Sequence, residues 1–252
     1  MHMTIELVFV ILSVFVILIG IGSAIVSVWL MVKYVKFNRR NNSAGLTGQE
    51  VARIVLDKNG LSHIAVKTTG SLLFGNSYSH YFKKVRLRRL TRHKHSLTSL
   101  GMGAQKASLA ILDKEGDPDM KKRVRLYPII TFGPFAFIPL LTVGILLDYF
   151  MFNMGTGTWT LVLGGIGLLF YAYSIVLSVL TLKTEKKAQD KAYAILEQEN
   201  LATAEELASL KELFHLYNVQ YINDIILSSL ELIYYALEII IAINGNSSSS
   251  SK

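Results

Sequence analysis

Four stretches of this chain, residues 5–32, 127–152, 159–182 and 221–243, are long and apolar enough to cross a bilayer. A spanning helix needs roughly 20 predominantly apolar residues. Nothing else in the sequence restricts the fold as strongly, because a segment in lipid must satisfy its backbone polar groups without water. Composition agrees: 51% of residues are hydrophobic and the mean hydropathy is +0.39, too apolar for an ordinary soluble domain. The expected fold class is an α-helical integral membrane protein of four transmembrane helices, with a small cytoplasmic α/β insertion between spans 1 and 2. The chain divides on this reading into an anchor (1–34), a basic insertion (35–126), helices 2 and 3 (127–182), a cytoplasmic helical hairpin (183–220), helix 4 (221–243) and a disordered tail (244–252, ending in SSSSSK).

The first stretch has no basic residue ahead of it, is longer than a signal-peptide core and lacks a small-x-small exit, which predicts an uncleaved anchor. The absence of cysteine excludes disulfides, thiolate nucleophiles and cysteine-based metal sites. Between Lys33 and Arg125 lie 20 of the 26 Lys and Arg against 6 Asp and Glu, and residues 183–220 hold 5 more. The positive-inside rule then places both large connections in the cytoplasm and both termini outside. An anionic inner leaflet is the expected neighbour of the first connection, at roughly 1 kcal/mol per basic residue near its surface.

Inside the insertion, Thr47 with Glu50 forms a capping box ahead of Val51, Ile54 and Val55, and Asn59-Gly60 supplies the stop, which predicts a short amphipathic helix. Residues 63–68 and 80–90 read as strands with a turn at 70–76; in the second, Val85 and Leu87 alternate with cations. The basic run Arg86, Arg88, Arg89, Arg92 and Lys94 lacks interleaved aromatics for base stacking, so it is read as an anionic-lipid surface rather than a nucleic-acid site. His93 and His95 are two residues apart among cations and are read as surface, not as a metal pair. In the second connection Thr203 and Glu206 make another capping box, and its balance of 5 basic against 7 acidic residues complements the insertion. The last span carries Asp224, Glu231 and Glu238 at seven-residue steps, hence on one helix side. Charged carboxylates at bilayer depth are costly, so this intramembrane acidic stripe is expected to face protein or water.

Taken in order, the run NNSAGLTGQEVARIVLDKNGL (41–61), the strand KKVRL, a small-residue helix, YPIITFG entering the second span and TLKTEKKAQDKAYAIL leaving the third resemble the neutral zinc metallopeptidases of bacterial membranes, the YugP-type family. The resemblance implies a bacterial plasma-membrane location and a peptidase-like insertion. It also implies an H-E-x-x-H helix between the VRL strand and the second span, in which two His one turn apart bind zinc and the Glu serves as general base. A third ligand comes, in the family, from a Glu just beyond the third span. Counting forward from Val85-Arg86-Leu87 and back from Pro128 and Phe132-Gly133 places that slot on Gln105-Lys106-Ala107-Ser108-Leu109. Gln105, Lys106 and Leu109 thus stand where the resemblance implies His, Glu and His, while Glu185 falls at the third ligand's place, as a vestigial candidate read as a surface residue among Lys183, Lys186 and Lys187.

The zinc of the family is therefore not expected as a cofactor. The expected function is that of a catalytically inactive pseudopeptidase with a binding or scaffolding role at the cytoplasmic membrane face, holding a membrane-protein or peptide partner. The alternatives are an active zinc metallopeptidase with unorthodox ligands, or a small ion transporter using the acidic stripe.

Overall fold

Helix formation absorbs most of this chain's backbone hydrogen bonding. The structure, a computed structural model, describes residues 5–69, 75–130, 133–151 and 157–249. In chain order these form α1 (Ile5–Arg39), α2 (Gly48–Lys58), β1 (Ala65–Thr69), β2 (Ser77–Ser79), β3 (Lys84–Arg88), α3 (Arg89–His93), α4 (Leu97–Glu115), α5 (Pro118–Ile130), α6 (Gly133–Leu146) followed by a π-helical turn (Leu147–Met151), α7 (Thr158–Gln198) and α8 (Ala204–Ser249). Among the described residues, the helical stretches Leu7–Arg39 and Thr158–Gln198 are long and apolar enough to cross a membrane, and Ala136–Phe150 is a shorter apolar helix. Parts of the expected second span (131–132 and 152), of the expected turn (70–74) and of the tail (250–252) lie outside the described residues. The tail expected to be unstructured from residue 244 is helical as far as Ser249, where extending an existing helix adds one backbone bond per residue without a new nucleation cost.

The chain divides into two compact units that do not follow it in blocks. One takes Met1–Ala24, Leu126–Val179 and Tyr221–Lys252; the other takes Ile25–Arg125 and Leu180–Gln220. In the first unit, Phe137, Tyr171 and Tyr235 form an aromatic cluster with ring centroids 4.9–6.5 Å apart. Gly144 lies so near the backbone of Thr160 that a Cβ would sit 2.7 Å from its Cα, and Asp148 accepts from the N–H groups of Trp159 and Thr160, satisfying donors that the first turn of α7 leaves open.

The second unit holds the insertion and the helical hairpin, and here the local signals materialise. Thr47 and Glu50 exchange the two bonds of a capping box at the start of α2, and Asn59 ends it. The strands form one sheet in the order β1-β3-β2, with β1 parallel and β2 antiparallel to β3. The third strand, β2, lies between the stretch expected to be a turn (70–76) and the stretch expected to be the second strand (80–90), in residues assigned to neither. Residues 89–90, expected as the end of the second strand, belong instead to the helical turn α3. Val51, Val55 and Leu56 of α2, Val85 and Leu87 of β3, Leu97 and Leu100 of α4, and Leu196, Leu210, Leu213 and Phe214 of the hairpin form one fully buried core. Small residues on α4 permit this: a Cβ on Gly103 would collide with the backbone of Gly48, and one on Gly101 would lie 2.5 Å from Leu210.

The acidic hairpin and the basic insertion meet through ion pairs, Arg40 with Glu205 at 3.0 Å, Lys191 with Glu115 at 2.7 Å, and Lys58 with Glu199. The more consequential link is Glu206. Besides accepting from the Thr203 N–H at 2.9 Å, it accepts from Ser43 through the backbone N–H at 2.7 Å and the hydroxyl at 2.6 Å, tying the loop before α2 to the head of α8. Burial pushes the Glu206 carboxyl up, but the donors on Ser43 and Thr203 outweigh it and hold it below the usual range. Its stabilising contribution is therefore complete above the ordinary glutamate pKa of about 4.3 and is lost as pH falls through the depressed folded-state value. Glu206→Ala is expected to cost about 2–3 kcal/mol at neutral pH, since it leaves buried donors unpaired. Thermal melting of the detergent-solubilised protein checks this: the gap between variant and wild type should close at strongly acid pH.

Candidate functional site

The helix α4 is the centre of the second unit. Ser96 caps it by accepting from the Ser99 N–H, Gly116 ends it in the left-handed conformation with φ 72°, and every residue from Leu97 to Leu112 is buried. A helix buried all round must offer small residues to its neighbours, which explains Gly101, Gly103, Ala104, Ala107 and Ala110. Its polar middle then has to find partners inside the protein.

Those partners come from α7 and α5. The amide nitrogen of Gln105 donates to Glu185 Oε2 at 2.9 Å, and the ammonium of Lys106 donates to the same oxygen at 2.6 Å. The other oxygen, Oε1, accepts from Nη1 and Nη2 of Arg123 at 3.3 Å each, and Nη1 also reaches Thr184 Oγ1 at 2.7 Å. Glu185 is 3% exposed and Lys106 7%. Burial pushes the Glu185 carboxyl up, yet the Lys106 ammonium and Arg123 guanidinium beside it bring it below the usual carboxylate range. Leu109, also on the side of α4 that meets α7, packs with Leu112, Met120 and Ala188.

Glu185 is thus not the surface residue expected among neighbouring lysines. Lys187 is spent on Asp117 and Asp119, at 2.7 and 2.8 Å, while Glu185 turns inward to partners 62 and 79 residues away in sequence. The sequence reading missed Arg123 altogether. The one available signal was Lys106 itself, an ammonium in the middle of a helix too apolar to leave it unpaired.

A zinc ion requires three or four nitrogen, oxygen or sulfur donors around one point. Position 105 offers an amide already bonded to the carboxylate, position 106 a cation, and position 109 no lone pair. Ser108 keeps a buried hydroxyl without a hydrogen-bond partner, but a single hydroxyl does not make a donor set. Among the described residues, no three of His, Cys, Asp and Glu come together as a metal site. The residues present do not fit the ion.

The other predicted residues are dispersed. Of the expected lipid-facing cations, Arg88 and Arg89 are exposed, whereas Arg86 lies over the Phe82 ring at 5.5 Å. Arg92 turns back into the protein, donating to Gln49 at 2.6 Å and Thr68 at 2.5 Å, and Lys94 reaches the Asn38 carbonyl at 3.4 Å. The helical turn of α3 re-aims Arg92 in a way an extended strand would not. His95 bonds the Gly45 carbonyl and His93 is exposed, so they do not act as a pair. In the first unit, Glu231 accepts from the Tyr171 hydroxyl at 2.6 Å, whereas Asp224 and Glu238 are exposed, with Ser23 3.5 Å from Asp224. The stripe keeps its single helix side, with its middle member the least exposed; successive carboxylates lie about 10 Å apart along the axis.

Residues 9–240 match the family described as "Putative neutral zinc metallopeptidase", and the chain belongs to that family. It is 23% identical over 210 residues to the "Putative membrane protease YugP" of Bacillus subtilis (strain 168), an alignment covering 83% of this chain and 87% of that one. No solved structure matches the chain.

Proposed function

We propose that this chain is a catalytically inactive member of its family, a pseudopeptidase that retains a binding or scaffolding role at the cytoplasmic face of the bacterial plasma membrane. The observation that carries this reading is the bond between Lys106 and Glu185, 2.6 Å long and buried at both ends. It puts a fixed cation at the carboxylate that the family's ligand pattern would assign to the metal. The two long apolar helices and the relative whose name is that of a membrane protease support the membrane setting. The remaining apolar stretches, in α6 and α8, are read as spans 2 and 4. The excess of Lys and Arg in residues 33–125 supports a cytoplasmic insertion with both termini outside, and within the basic run Arg88 and Arg89 are exposed and free to meet an anionic leaflet. A membrane protein or peptide is the partner this role requires.

Elemental analysis of the purified full chain, incubated with zinc and desalted, tests the reading. Well below one zinc per chain is expected. One zinc per chain that disappears in Glu185→Ala, accompanied by chelator-sensitive cleavage of a membrane substrate, would overturn it.

A further inference from the structure

Beside the helix α4, and apart from the Glu185 network, lies a cavity of about 240 Å³ whose polar lining is Tyr78, His63, His80, Lys83, Asp113 and Lys114. No role in the proposed function falls to it. Its one carboxylate is already engaged: Asp113 Oδ2 accepts from the Tyr78 hydroxyl at 2.7 Å and bonds His80 Nδ1 at 2.6 Å. Asp113 is also shielded, with 11% of its side chain exposed. The bond at Nδ1 orients the His80 ring and leaves Nε2 as its remaining nitrogen.

The other polar groups on the wall are His63, Lys83 and Lys114. Lys114 donates to the Asn59 carbonyl at 2.6 Å, and an ammonium with three hydrogens has donors left after one such bond. Lys83 is the more informative. It stands in the tight turn between β2 and β3 with φ 44°, a conformation that glycine adopts more easily than any residue with a Cβ. A lysine there accepts backbone strain and delivers a cation to the cavity wall. Lys83 Nζ lies 4.0 Å from Asp113 Oδ2 and 3.5 Å from His80 Nδ1, long contacts that leave its ammonium with hydrogens to donate, so two ammonium groups and two imidazoles share the wall with a single carboxylate that is already hydrogen-bonded.

We propose that this cavity is a binding site for a small oxyanion, a carboxylate or phosphate group, held by the ammonium groups of Lys83 and Lys114. The volume admits one such group with part of the molecule that carries it. The apolar walls at Leu61, Ile64 and Ala110 suit a short carbon skeleton more than a second charge.

The test uses the full chain in a non-ionic detergent, with inorganic phosphate in one arm and acetate in the other, at constant ionic strength set with chloride. A saturable rise in melting temperature is expected with at least one anion, and the arm that responds identifies the class. Lys83→Gly is the decisive variant. It removes the cation while relieving the turn, so its melting temperature without anion should equal or exceed that of wild type, and its anion affinity should fall about tenfold, as expected for one charge-assisted hydrogen bond. A response absent in both arms, or one of equal midpoint in Lys83→Gly and wild type, would overturn the proposal.

Discussion

Replacing Glu185 by Leu is expected to be among the most damaging single substitutions in this chain, costing about 3–5 kcal/mol, because it strands a buried ammonium without its counter-charge. Lys106 is 7% exposed and its Nζ is 2.6 Å from the carboxylate that would vanish. Arg123 is better placed to survive, since it retains Thr184 Oγ1 at 2.7 Å. The observable is a fall in melting temperature on the order of 10 °C for the detergent-solubilised protein, at roughly 2–4 °C per kcal/mol for a chain of this size. The double variant Lys106→Met, Glu185→Leu separates charge from packing. A buried ion pair exchanged for apolar groups of similar volume is often neutral or stabilising, so the double variant should recover most of the loss. If it melts as low as Glu185→Leu alone, the damage is steric and the account of the network as a compensated charge pair is wrong. The acid response has a defined sign: with the folded-state pKa of Glu185 lowered, its contribution is full above about pH 4.3 and is lost as pH falls through the depressed value.

The second large effect concerns the slot itself. The triple variant Gln105→His, Lys106→Glu, Leu109→His is expected to make stability depend on zinc. Position 105 already reaches Glu185 and position 109 already packs on Ala188, three residues further along α7, so both replaced side chains meet the same stretch of that helix. Without metal the variant gathers two carboxylates where wild type has one and removes the Lys106 cation, leaving Arg123 alone to oppose them. That should destabilise the metal-free form. With zinc at about 1,000 times its dissociation constant the folded state gains about 4 kcal/mol, a rise of roughly 8–16 °C in melting temperature. Elemental analysis should then find one zinc per chain. A variant that melts at the same temperature with and without zinc would show that position 105 is not the head of the metal helix, which would also remove the basis for reading the wild type as inactive.

Much of the scaffold was legible in the residues. The Thr47–Glu50 and Thr203–Glu206 capping boxes, the Asn59-Gly60 stop and the first and third apolar stretches each depend on groups a few residues apart, and each appears in the structure where the pattern placed it. Less was legible where a local pattern admitted two outcomes. Arg89 and Leu90 read as the end of the second strand, yet they open the helix α3, whose Arg92 reaches Gln49 and Thr68 on the neighbouring α2 and β1. Residues 77–79 lie between the expected turn and the expected second strand, yet they pair with β3 once the sheet offers an open edge.

The candidate site shows the same division more sharply. The sequence by itself determined what the slot lacks: no imidazole at positions 105 and 109 and no carboxylate at 106, an absence that follows from residue identity and register alone. Only the tertiary structure decided what stands there instead. Glu185 bears three neighbouring lysines in sequence and bonds none of them in the second unit's core; α7 turns it inward to Lys106 and Arg123. The physical reason is the range of the forces. Caps and apolar runs are satisfied within one or two turns and leave a mark in adjacent residues, whereas a buried charge is satisfied by whatever opposite charge the packing of distant helices delivers, and that is settled only when the core closes.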